Sequence, residues 1–430
     1  MNNQNQFPQL LQTLWFHIAP RRRRQFTIAL FLMIISALTE VISLGAVLPF
    51  MGVLLAPEQV YDSSIVSPIA KYFEINSANE LVLPLTLIFI LIVLLAGAMR
   101  TFILWISSRL AGAIGTDLSF DVYNRTLYQP YCTHLEKNSS TIISGITGKV
   151  NSVVSMVLLP ILTLLSSTFL LLGIGITLFV INPFMALVSI SGFGGLYIFI
   201  TFLVRGRLVS NSQVIANEQT KVVKALQGGL GGIRDVLLDG LQQVYSDVYR
   251  QADHPLRRAQ ANNVFVTGSP RFIIEALGIV FLVTLAYLLS LKPGGINASL
   301  PILGVLAFGA QRLLPTLQQL YSAWSTIAGN HESLKDVLRL LEQPLPLSKN
   351  NKIVAPLKFE QGILFDDVSF RFANDGRSVL SKISFYIPKG SSVGIVGSTG
   401  SGKSTLLDLL MGLIQPTEGS ISVDNKTITN

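Results

Sequence analysis

The residues best suited to chemistry form one short run near the end of the chain, Gly397-Ser398-Thr399-Gly400-Ser401-Gly402-Lys403-Ser404-Thr405. Its spacing, G-x-x-x-x-G-K-[ST], places glycines where backbone N–H groups must converge on phosphate oxygens without Cβ clashes. Lys403 would bring a full charge to the β and γ phosphates, and the Ser404 hydroxyl would ligate Mg²⁺. Thr405 would reach the α phosphate. The run therefore predicts a phosphate-binding loop for a nucleotide with Mg²⁺.

The flanking segments decide whether such a pattern is a real phosphate loop. Val393-Gly394-Ile395-Val396 reads as a buried strand leading in, within a predicted strand Ser392–Val396, and Ser404–Leu413 reads as a helix leading out. That helix would point its positive N-terminal end at the same phosphates. The alternative is a chance Gly/Ser-rich turn, which the register of strand, loop and helix disfavours.

Two further strands are predicted upstream of the loop. They are Ile363–Phe372 and Val379–Ile387, joined by a turn at Ala373–Gly376. Phe372 closes the first strand and could stack on an adenine ring. A bare aromatic side chain is more often part of a core, so both interpretations stay open at this point.

The composition of the remaining chain is that of a membrane protein. Of its 430 residues 50% are hydrophobic and only 13% are charged, against roughly 25% charged residues in a soluble domain. The net charge of +8 would suit a nucleic acid, but the basic residues lie beside apolar segments, where membrane topology explains them. We therefore predict no nucleic-acid partner. The lone Cys132 excludes an intrachain disulfide and a Cys-based metal cluster, and the polar N-terminus does not resemble a cleavable signal peptide.

Apolar stretches of about 20 residues predict six membrane spans. These are Phe26–Leu55, Leu81–Ile106, Val153–Ile181, Phe184–Val204, Phe272–Leu291 and Pro301–Trp324. Residues Phe7–Ile18 read as an interfacial helix before the first span, and Asn182-Pro183 as a tight turn between the third and fourth.

The distribution of Lys and Arg predicts the orientation of these spans. Arg21–Arg24 precede the first span, and the segment Arg205–Pro270 between the fourth and fifth spans is rich in both residues. Because positive residues stay on the inner side, we expect a multi-pass protein of the inner (cytoplasmic) membrane with its N-terminus and both long connections in the cytoplasm.

The two long connections, Arg109–Asn151 and Arg205–Pro270, are too polar for the membrane. Structureless loops beyond about 15 residues are uncommon, so we predict helices that continue from the bilayer and turn back at short transverse helices near His134–Ser144 and Gly240–Ala252. Ordinary cytoplasmic loops are the alternative. The predicted organisation is a transmembrane domain over residues 1–345, a linker over 346–357 and the N-terminal part of a nucleotide-binding domain over 358–430.

Five ionisable residues fall within the predicted spans: Arg100, Arg271 and Arg312, with Glu40 and Glu275. Arg312 would lie about 17 Å into the sixth span, near the bilayer midplane. Charges at such depth are costly and by default functional or paired. One interpretation is a water-filled cavity whose arginines bind an anionic headgroup. The others are a structural Arg–Glu pair for Arg312 and snorkelling of Arg100 and Arg271 to the interface.

With six spans, long cytoplasmic helices, a linker and this loop, the chain resembles an ATP-binding cassette (ABC) exporter of the fused type. Val368–Phe372 is similar to the family's strand that ends in an adenine-stacking aromatic, and Pro416–Ile421 to the turn and strand after the first helix. The resemblance implies a mainly α membrane protein followed by a partial α/β nucleotide domain. It also implies ATP and Mg²⁺ as cofactors, a homodimer, and a binding role for Phe372.

Within the family, three segments resemble the flippases of lipid-linked oligosaccharides and polysaccharide precursors. They are Pro270–Glu275, Gln311–Pro315 and Ser36–Pro49, which includes Glu40. This implies ATP-driven flipping of an amphipathic, anionic lipid-linked glycan across the membrane. A lipid, drug or peptide exporter is an alternative, and a non-catalytic nucleotide-binding membrane subunit is an alternative of another class.

The family's remaining ATP-site motifs follow the phosphate loop: a glutamine loop, an LSGGQ-type signature, a second Mg²⁺-binding strand with a catalytic glutamate, and a switch histidine. The sequence ends at Asn430 without them, so we assign no catalytic residue here and leave open whether the chain is an enzyme. We expect a truncated product, a fragment of a longer gene, or a split protein completed by another chain, and no exporter-like ATP hydrolysis by this chain alone.

Overall fold

The structure, a computed structural model, describes residues 6–47, 50, 53, 54, 58, 78–136, 139–181, 183–290, 295–344, 357–372 and 378–428. The chain divides into two compact units. The first combines Met1–Tyr123 with Ile143–Glu342, and the second combines Asn124–Ile142 with Gln343–Asn430. The predicted linker 346–357 lies outside the described residues except for its last residue, Leu357.

The described residues before the sheet are almost entirely helical. In chain order the described helices before the sheet are α1 (Gln6–His17), α2 (Pro20–Gly45), a 3₁₀ turn (Ala78–Leu81), α3 (Val82–Leu127), α4 (Tyr131–Glu136), α5 (Ser139–Ile143), a π-helical stretch (Ser144–Lys149), α6 (Val150–Val153), a second π-helical stretch (Val154–Leu158), α7 (Leu159–Ile181), α8 (Pro183–Gly231), α9 (Ile233–Leu238), α10 (Gln242–Ser290), α11 (Gly295–Ala328) and α12 (His331–Leu341).

Five helices in the described part of the chain are long and apolar enough to cross a membrane. Their bounds are Pro20–Gly45, Val82–Leu127, Ser139–Val180, Ile190–Gly231 and Gln242–Val280. The sixth predicted span, Pro301–Trp324, lies within α11. Of the predicted turn Asn182-Pro183, Asn182 lies outside the described residues and Pro183 begins α8.

The predicted continuation of the spans as long helices is confirmed. Helix α3 has 46 residues and α8 and α10 have 49 each, about 70 Å at 1.5 Å per residue, whereas the apolar core of a bilayer is about 30 Å thick. The surplus length is the polar part of each helix. The predicted alternative of ordinary loops is therefore wrong for both connections.

The second transverse helix lies earlier than predicted. The short helix between the two long ones is α9, Ile233–Leu238, and Gln242–Ala252 is already part of α10. Two glycine positions explain the difference. The glycine-rich stretch 228–232 ends α8 at Gly231, and Gly240 takes a left-handed conformation with φ of +66° that begins the return. The first transverse segment agrees with prediction, since α4 occupies 131–136 and α5 occupies 139–143.

The core of the first unit follows a helical repeat on α3. Ile114, Leu118 and Val122 recur every four residues and are fully buried in one cluster with side chains of α7 and α12. A buried ion pair adds to this packing, because the Lys149 ammonium lies 2.5 Å from the Asp336 carboxylate on α12. The polar ends of these helices are thus joined by both apolar and ionic contacts.

The second unit is built on an antiparallel sheet of strand order β2-β1-β3-β4. The strands are β1 (Gly362–Phe370), β2 (Leu380–Pro388), β3 (Glu418–Val423) and β4 (Lys426–Thr427), with helix α13 (Lys403–Leu410) after β2. Strands β1 and β2 confirm the two predicted strands, while the turn Ala373–Gly376 lies outside the described residues. Phe365, Leu409 and Ile421 form the core of this unit, and Tyr131 and Cys132 of α4 pack against it.

The strand predicted at Ser392–Val396 does not form. Residues 391–398 have no regular secondary structure, and Val396 is 96% exposed. A buried strand of this apolar type requires hydrogen-bonded neighbours, and none of the described strands pairs with it. The following helix also ends earlier than predicted, at Leu410, because Gly412 is left-handed (φ +71°) and the Leu413 N–H bonds back to the Asp408 carbonyl.

The Asp424 side chain, in the turn after β3, binds the backbone at the start of β1. Its carboxylate accepts the backbone N–H groups of Glu360, Gln361 and Gly362 at 2.5, 2.7 and 2.9 Å. These hydrogen bonds, that from Glu360 foremost, hold the pKa of the Asp424 carboxyl below its ordinary value. The carboxylate therefore stabilises the sheet above the unfolded-state pKa of about 4, and this contribution is lost as pH falls through the lower folded-state pKa.

We expect Asp424→Asn to weaken hydrogen-exchange protection of the amides of residues 360–362 at pH 7, because an amide oxygen is a weaker acceptor than a carboxylate. The difference from the wild type should shrink as both proteins are acidified below about pH 4. Asp366→Asn, at an exposed position on β1, is the control. A difference between wild type and Asp424→Asn that is independent of pH would contradict this role.

Candidate functional site

The phosphate loop lies between the end of β2 and helix α13. Gly400 and Gly402 have φ values of +85° and +88°, a conformation that favours glycine, and Gly402 caps the N-terminus of α13. A Cβ on Gly402 would lie 2.8 Å from Leu380 Cδ2 and 3.1 Å from the Val379 carbonyl oxygen. The second glycine of the motif is thus required both by backbone conformation and by its close approach to β2.

Lys403 points back over the loop rather than out to solvent. Its ammonium donates to the carbonyls of Gly397 at 2.9 Å and Ser398 at 2.8 Å. The ammonium therefore lies beside the loop backbone, where phosphate oxygens would replace the two carbonyls as its acceptors. The left-handed glycines, Lys403 and the N-terminus of α13 together form a site that fits the phosphates of a nucleoside triphosphate.

The other predicted nucleotide residues surround this loop in different environments. Ser404 is exposed in the first turn of α13, and Thr405 is buried. Phe372 is half exposed after the end of β1 and contacts only the edge of Phe370 among the described rings, with centroids 5.0 Å apart. The exposed face of Phe372 leaves room for stacking, and its adenine role stays a prediction.

Arg312 and Glu40 form an ion pair between the sixth and first predicted spans. The Arg312 guanidinium donates to the Glu40 carboxylate, which is 7% exposed, and the Arg100 guanidinium approaches the same carboxylate at 3.8 Å. Glu40 and Arg100 also line a cavity of 350 Å³. Three of the five predicted membrane residues therefore meet in one cluster on α2, α3 and α11.

The other two predicted membrane residues lie in a different cavity, of 530 Å³. Arg271 and Glu275 are one helical turn apart on α10, 3.9 Å from each other, and both are more than half exposed. The facing wall belongs to α11, where Gln311, Gln318 and Gln319 line the same cavity. The two clusters are distinct, although Gln319 borders both.

Pro270 explains how α10 and α11 are held together beside Arg271. It lacks an N–H, so the Val266 carbonyl one turn earlier loses its helical partner. The buried Tyr321 hydroxyl on α11 donates to that carbonyl at 2.8 Å. Thr267 and Ser325 share a second hydrogen bond of 2.9 Å between the same helices. These two hydrogen bonds therefore hold α10 against α11 next to Arg271, which lines the cavity.

The glutamines of α11 are site candidates that the charge-based analysis missed. Gln311, Gln318 and Ser322 recur at i, i+7 and i+11, so they share one face of the helix. Arg312, one position after Gln311, is turned about 100° away and reaches Glu40 instead. Uncharged polar residues at helical spacing within an apolar span are the signal that could have revealed this wall.

A bundle of long helices that cross a membrane, followed by a unit with a phosphate loop, defines a nucleotide-dependent membrane transporter. The family model described as the ABC transporter transmembrane region matches residues 26–292, and the model described as ABC transporter matches residues 380–430. The first match covers more than half of the sequence, and the chain belongs to the ABC transporter family. The second match implies that the C-terminal unit binds ATP.

Individual relatives agree with this family. The chain is 28% identical over 225 residues to the ATP-dependent lipid A-core flippase of Chromohalobacter salexigens, and 27% identical over 244 residues to a protein of that name from Idiomarina loihiensis. The matches cover 50% and 54% of this chain, and 37% and 41% of the relatives. The matched part of the chain therefore spans about two fifths of the relatives' length.

A solved structure shares the fold at low sequence identity. It is that of a bacterial Atm1-family ABC exporter with ATP bound, which is 17% identical to this chain with a TM-score of 0.67. The match covers 94% of this chain and 68% of that one. The fold is thus that of an ABC exporter transmembrane domain followed by part of its α/β nucleotide domain.

We expect Lys403→Ala to lower the affinity of the full chain for a fluorescent ATP analogue by about 10- to 100-fold in lipid nanodiscs with Mg²⁺. The reason is the loss of hydrogen bonds to a charged group, worth about 1.5–3 kcal/mol. Lys389→Ala is the control, because Lys389 is an exposed lysine in the turn after β2, outside the loop. Equal affinities for the wild type and Lys403→Ala would refute the assignment.

We expect Glu40→Leu to lower the thermal stability of the chain in nanodiscs, because it leaves the Arg312 guanidinium without its buried carboxylate. Breaking a buried pair costs about 3–5 kcal/mol, and the lower end applies since Arg312 is 34% exposed. The double variant Glu40→Leu, Arg312→Met should recover most of the loss. Arg100→Met, whose guanidinium is half exposed, should change stability little. No recovery in the double variant would contradict a direct pairing.

Proposed function

We propose that this chain belongs to an ATP-driven exporter that flips an amphipathic, anionic lipid-linked oligosaccharide or polysaccharide precursor across the cytoplasmic membrane. The observation that carries the proposal is the 530 Å³ cavity in which Arg271 faces a wall of glutamine and hydroxyl side chains. The names of the flippase relatives support a lipid-based substrate, and the phosphate loop supports ATP as the energy source.

The lining of this cavity suits the two polar parts of such a substrate. A guanidinium binds phosphate or pyrophosphate oxygens through paired hydrogen bonds, and Arg271 is more than half exposed and only loosely paired with Glu275. Amide side chains both donate and accept hydrogen bonds, as sugar hydroxyls require. Gln311, Gln318 and Ser322 present these groups on one helix face opposite Arg271.

Arg312 and Arg100 are proposed as a second contact for the anionic group. The 350 Å³ cavity beside them is bordered by Glu40, which holds one guanidinium closely and the other at 3.8 Å. Two arginines share one carboxylate, so the cluster has a net positive charge. In this proposal Glu40 keeps the arginines in place, and the uncompensated charge attracts the headgroup.

In the second unit the proposed role of each loop residue follows from its type and place. Lys403 would hold the β and γ phosphates, the exposed Ser404 hydroxyl would ligate Mg²⁺, and Thr405 would reach the α phosphate. The backbone N–H groups of 397–402 would surround the phosphates, and Phe372 would stack on adenine. ATP supplies the free energy of transport, and this chain supplies the groups that bind and orient it.

A homodimer with cytoplasmic nucleotide domains is part of the proposal. The end of the long helix pair α8–α10 exposes Leu230, Leu237 and Leu238, each more than half exposed, and exposed apolar patches mark sites of protein association. The transverse helices α4–α5 and α9 would pass movements of the nucleotide domains to the spans. Arg21–Arg24 before the first span support a cytoplasmic N-terminus.

A lipid exporter is the second candidate, because the relatives are named for a lipid A-core substrate. The two candidates differ in what the cavity must hold. A long glycan needs the hydroxyl-binding wall of α11, whereas a lipid with a small headgroup needs only the arginine.

The test measures binding of a polyprenyl-pyrophosphate oligosaccharide to the full chain in zwitterionic nanodiscs, with a headgroup-free polyprenol, a cationic amphipathic drug and a hydrophobic peptide as comparisons. We expect tightest binding of the charged glycolipid. Arg271→Ala should weaken it about tenfold or more, because a hydrogen bond to a charged group is worth about 1.5–3 kcal/mol. Arg271→Lys should recover only part, since an ammonium is a point charge without the paired donors of guanidinium.

Arg257→Ala is the matched control for this experiment. Arg257 lies on the same helix and has its own carboxylate, Asp253 at 3.2 Å, one turn away, but it does not line the cavity. Gln318→Leu should weaken binding of the glycolipid and spare a pyrophosphate lipid without sugar. Equal binding of the polyprenol, or no change in Arg271→Ala, would refute the proposed substrate class.

A further inference from the structure

A third opening, of 730 Å³, lies between α2 and α3. It shares no lining residue with the two cavities described above. Its polar end is formed by Arg22 and Gln25 from α2 and by Arg109 from α3, and its apolar side by Ile28, Leu32 and Ile106. We call it the α2–α3 groove.

The groove runs from the basic interface into the apolar part of the first span. Ile28 and Leu32 follow Arg24 by four and eight residues, so they lie about 6 and 12 Å further along α2. Trp105 lies one turn before Arg109 on α3 and is more than half exposed at the same groove. Tryptophan beside arginine is typical of the level at which a bilayer meets water.

The charge at the polar end is not balanced. Arg22 is neutralised by Asp117, at 2.8 Å from its Nε, and donates also to the Gln25 side chain at 3.1 Å. Arg109 lies over the Trp105 ring, with its guanidinium carbon 5.9 Å from the ring centre. In the described part of the chain no carboxylate pairs with it. The mouth of the groove therefore presents one uncompensated cation above an apolar wall.

We propose that the α2–α3 groove binds an anionic glycerophospholipid, with its phosphate at Arg109 and an acyl chain along Ile28, Leu32 and Ile106. Basic pockets between membrane helices on the cytoplasmic side bind anionic lipid headgroups. The phosphate would accept hydrogen bonds from the Arg109 guanidinium, which stays in contact with the Trp105 ring. The bound lipid fills the space between α2 and α3 and is not the transported substrate.

A glycine makes the groove open to direct testing. Gly112 lines it, and a Cβ at this position would meet nothing within 4 Å. Phenylalanine at 112 would therefore project into the groove and occupy the place of the acyl chain. Gly97 lies on the same helix, is also free of neighbours within 4 Å and is outside the groove, so Gly97→Phe is the matched control.

The experiment places the full chain in phosphatidylcholine nanodiscs with a trace of phosphatidylglycerol that carries a photoactivatable acyl chain. Crosslinked peptides of α2 and α3 are mapped by mass spectrometry, with unlabelled phosphatidylglycerol or phosphatidylcholine as competitor. We expect crosslinks around residues 28–32 and 105–113. Phosphatidylglycerol should compete about fivefold better, the preference that one arginine near an anionic lipid provides.

Variants separate the parts of the proposal. Arg109→Gln should remove the preference for phosphatidylglycerol, while Arg24→Gln, which removes an exposed charge outside the groove, should keep it. Gly112→Phe should remove the crosslinks at 28–32, and Gly97→Phe should retain them. Equal competition by both lipids in the wild type, or crosslinks unchanged by Gly112→Phe, would overturn the proposal. So would crosslinks from these residues to a second copy of the chain in place of lipid.

Discussion

Polar groups buried among apolar helices are shielded from water, so they are costly unless a partner inside the protein satisfies them. The Val266 carbonyl and the Glu40 carboxylate show this requirement most directly. The carbonyl of Val266, left without a helical N–H by Pro270, accepts the Tyr321 hydroxyl. The Glu40 carboxylate accepts the Arg312 guanidinium. Both contacts end on α11, so this one helix fixes the positions of α2 and α10.

The same helix separates two chemical environments. Gln311 and Arg312 are neighbours in sequence but point about 100° apart, so the glutamine faces the 530 Å³ cavity and the arginine faces Glu40. One span can thus carry both Arg312, whose charge Glu40 neutralises, and a face of uncharged glutamines that lines the cavity. The cost of the partly buried Arg312 guanidinium is offset by its carboxylate, and the uncharged amides of Gln311 and Gln318 can contact a ligand.

The nucleotide unit depends on a different constraint, the close approach of Gly402 to β2. The antiparallel pairing of β1 with β2 and β3 holds Val379 and Leu380 in place, and Gly402 then fits only without a side chain. The phosphate loop could be predicted from residue types because its backbone conformation depends on glycines. The preceding segment 392–396 could not, because a strand exists only when a neighbour supplies hydrogen bonds, and no described strand does so.

The sequence by itself determined the elements that local chemistry controls: the apolar helices, their continuation beyond the bilayer, strands β1 and β2, and the glycines and Lys403 of the loop. Hydropathy and glycine spacing are properties of a short segment, so these elements can be predicted without knowing which distant residues they contact. Only the tertiary structure decided that Arg312 meets Glu40, 272 positions away, and that the glutamines of α11 face Arg271. It also showed that no carboxylate of the described residues pairs with Arg109 at the α2–α3 groove. Which charges are paired depends on the direction of each side chain and on the helices that lie opposite, and neither is encoded in spacing along one helix.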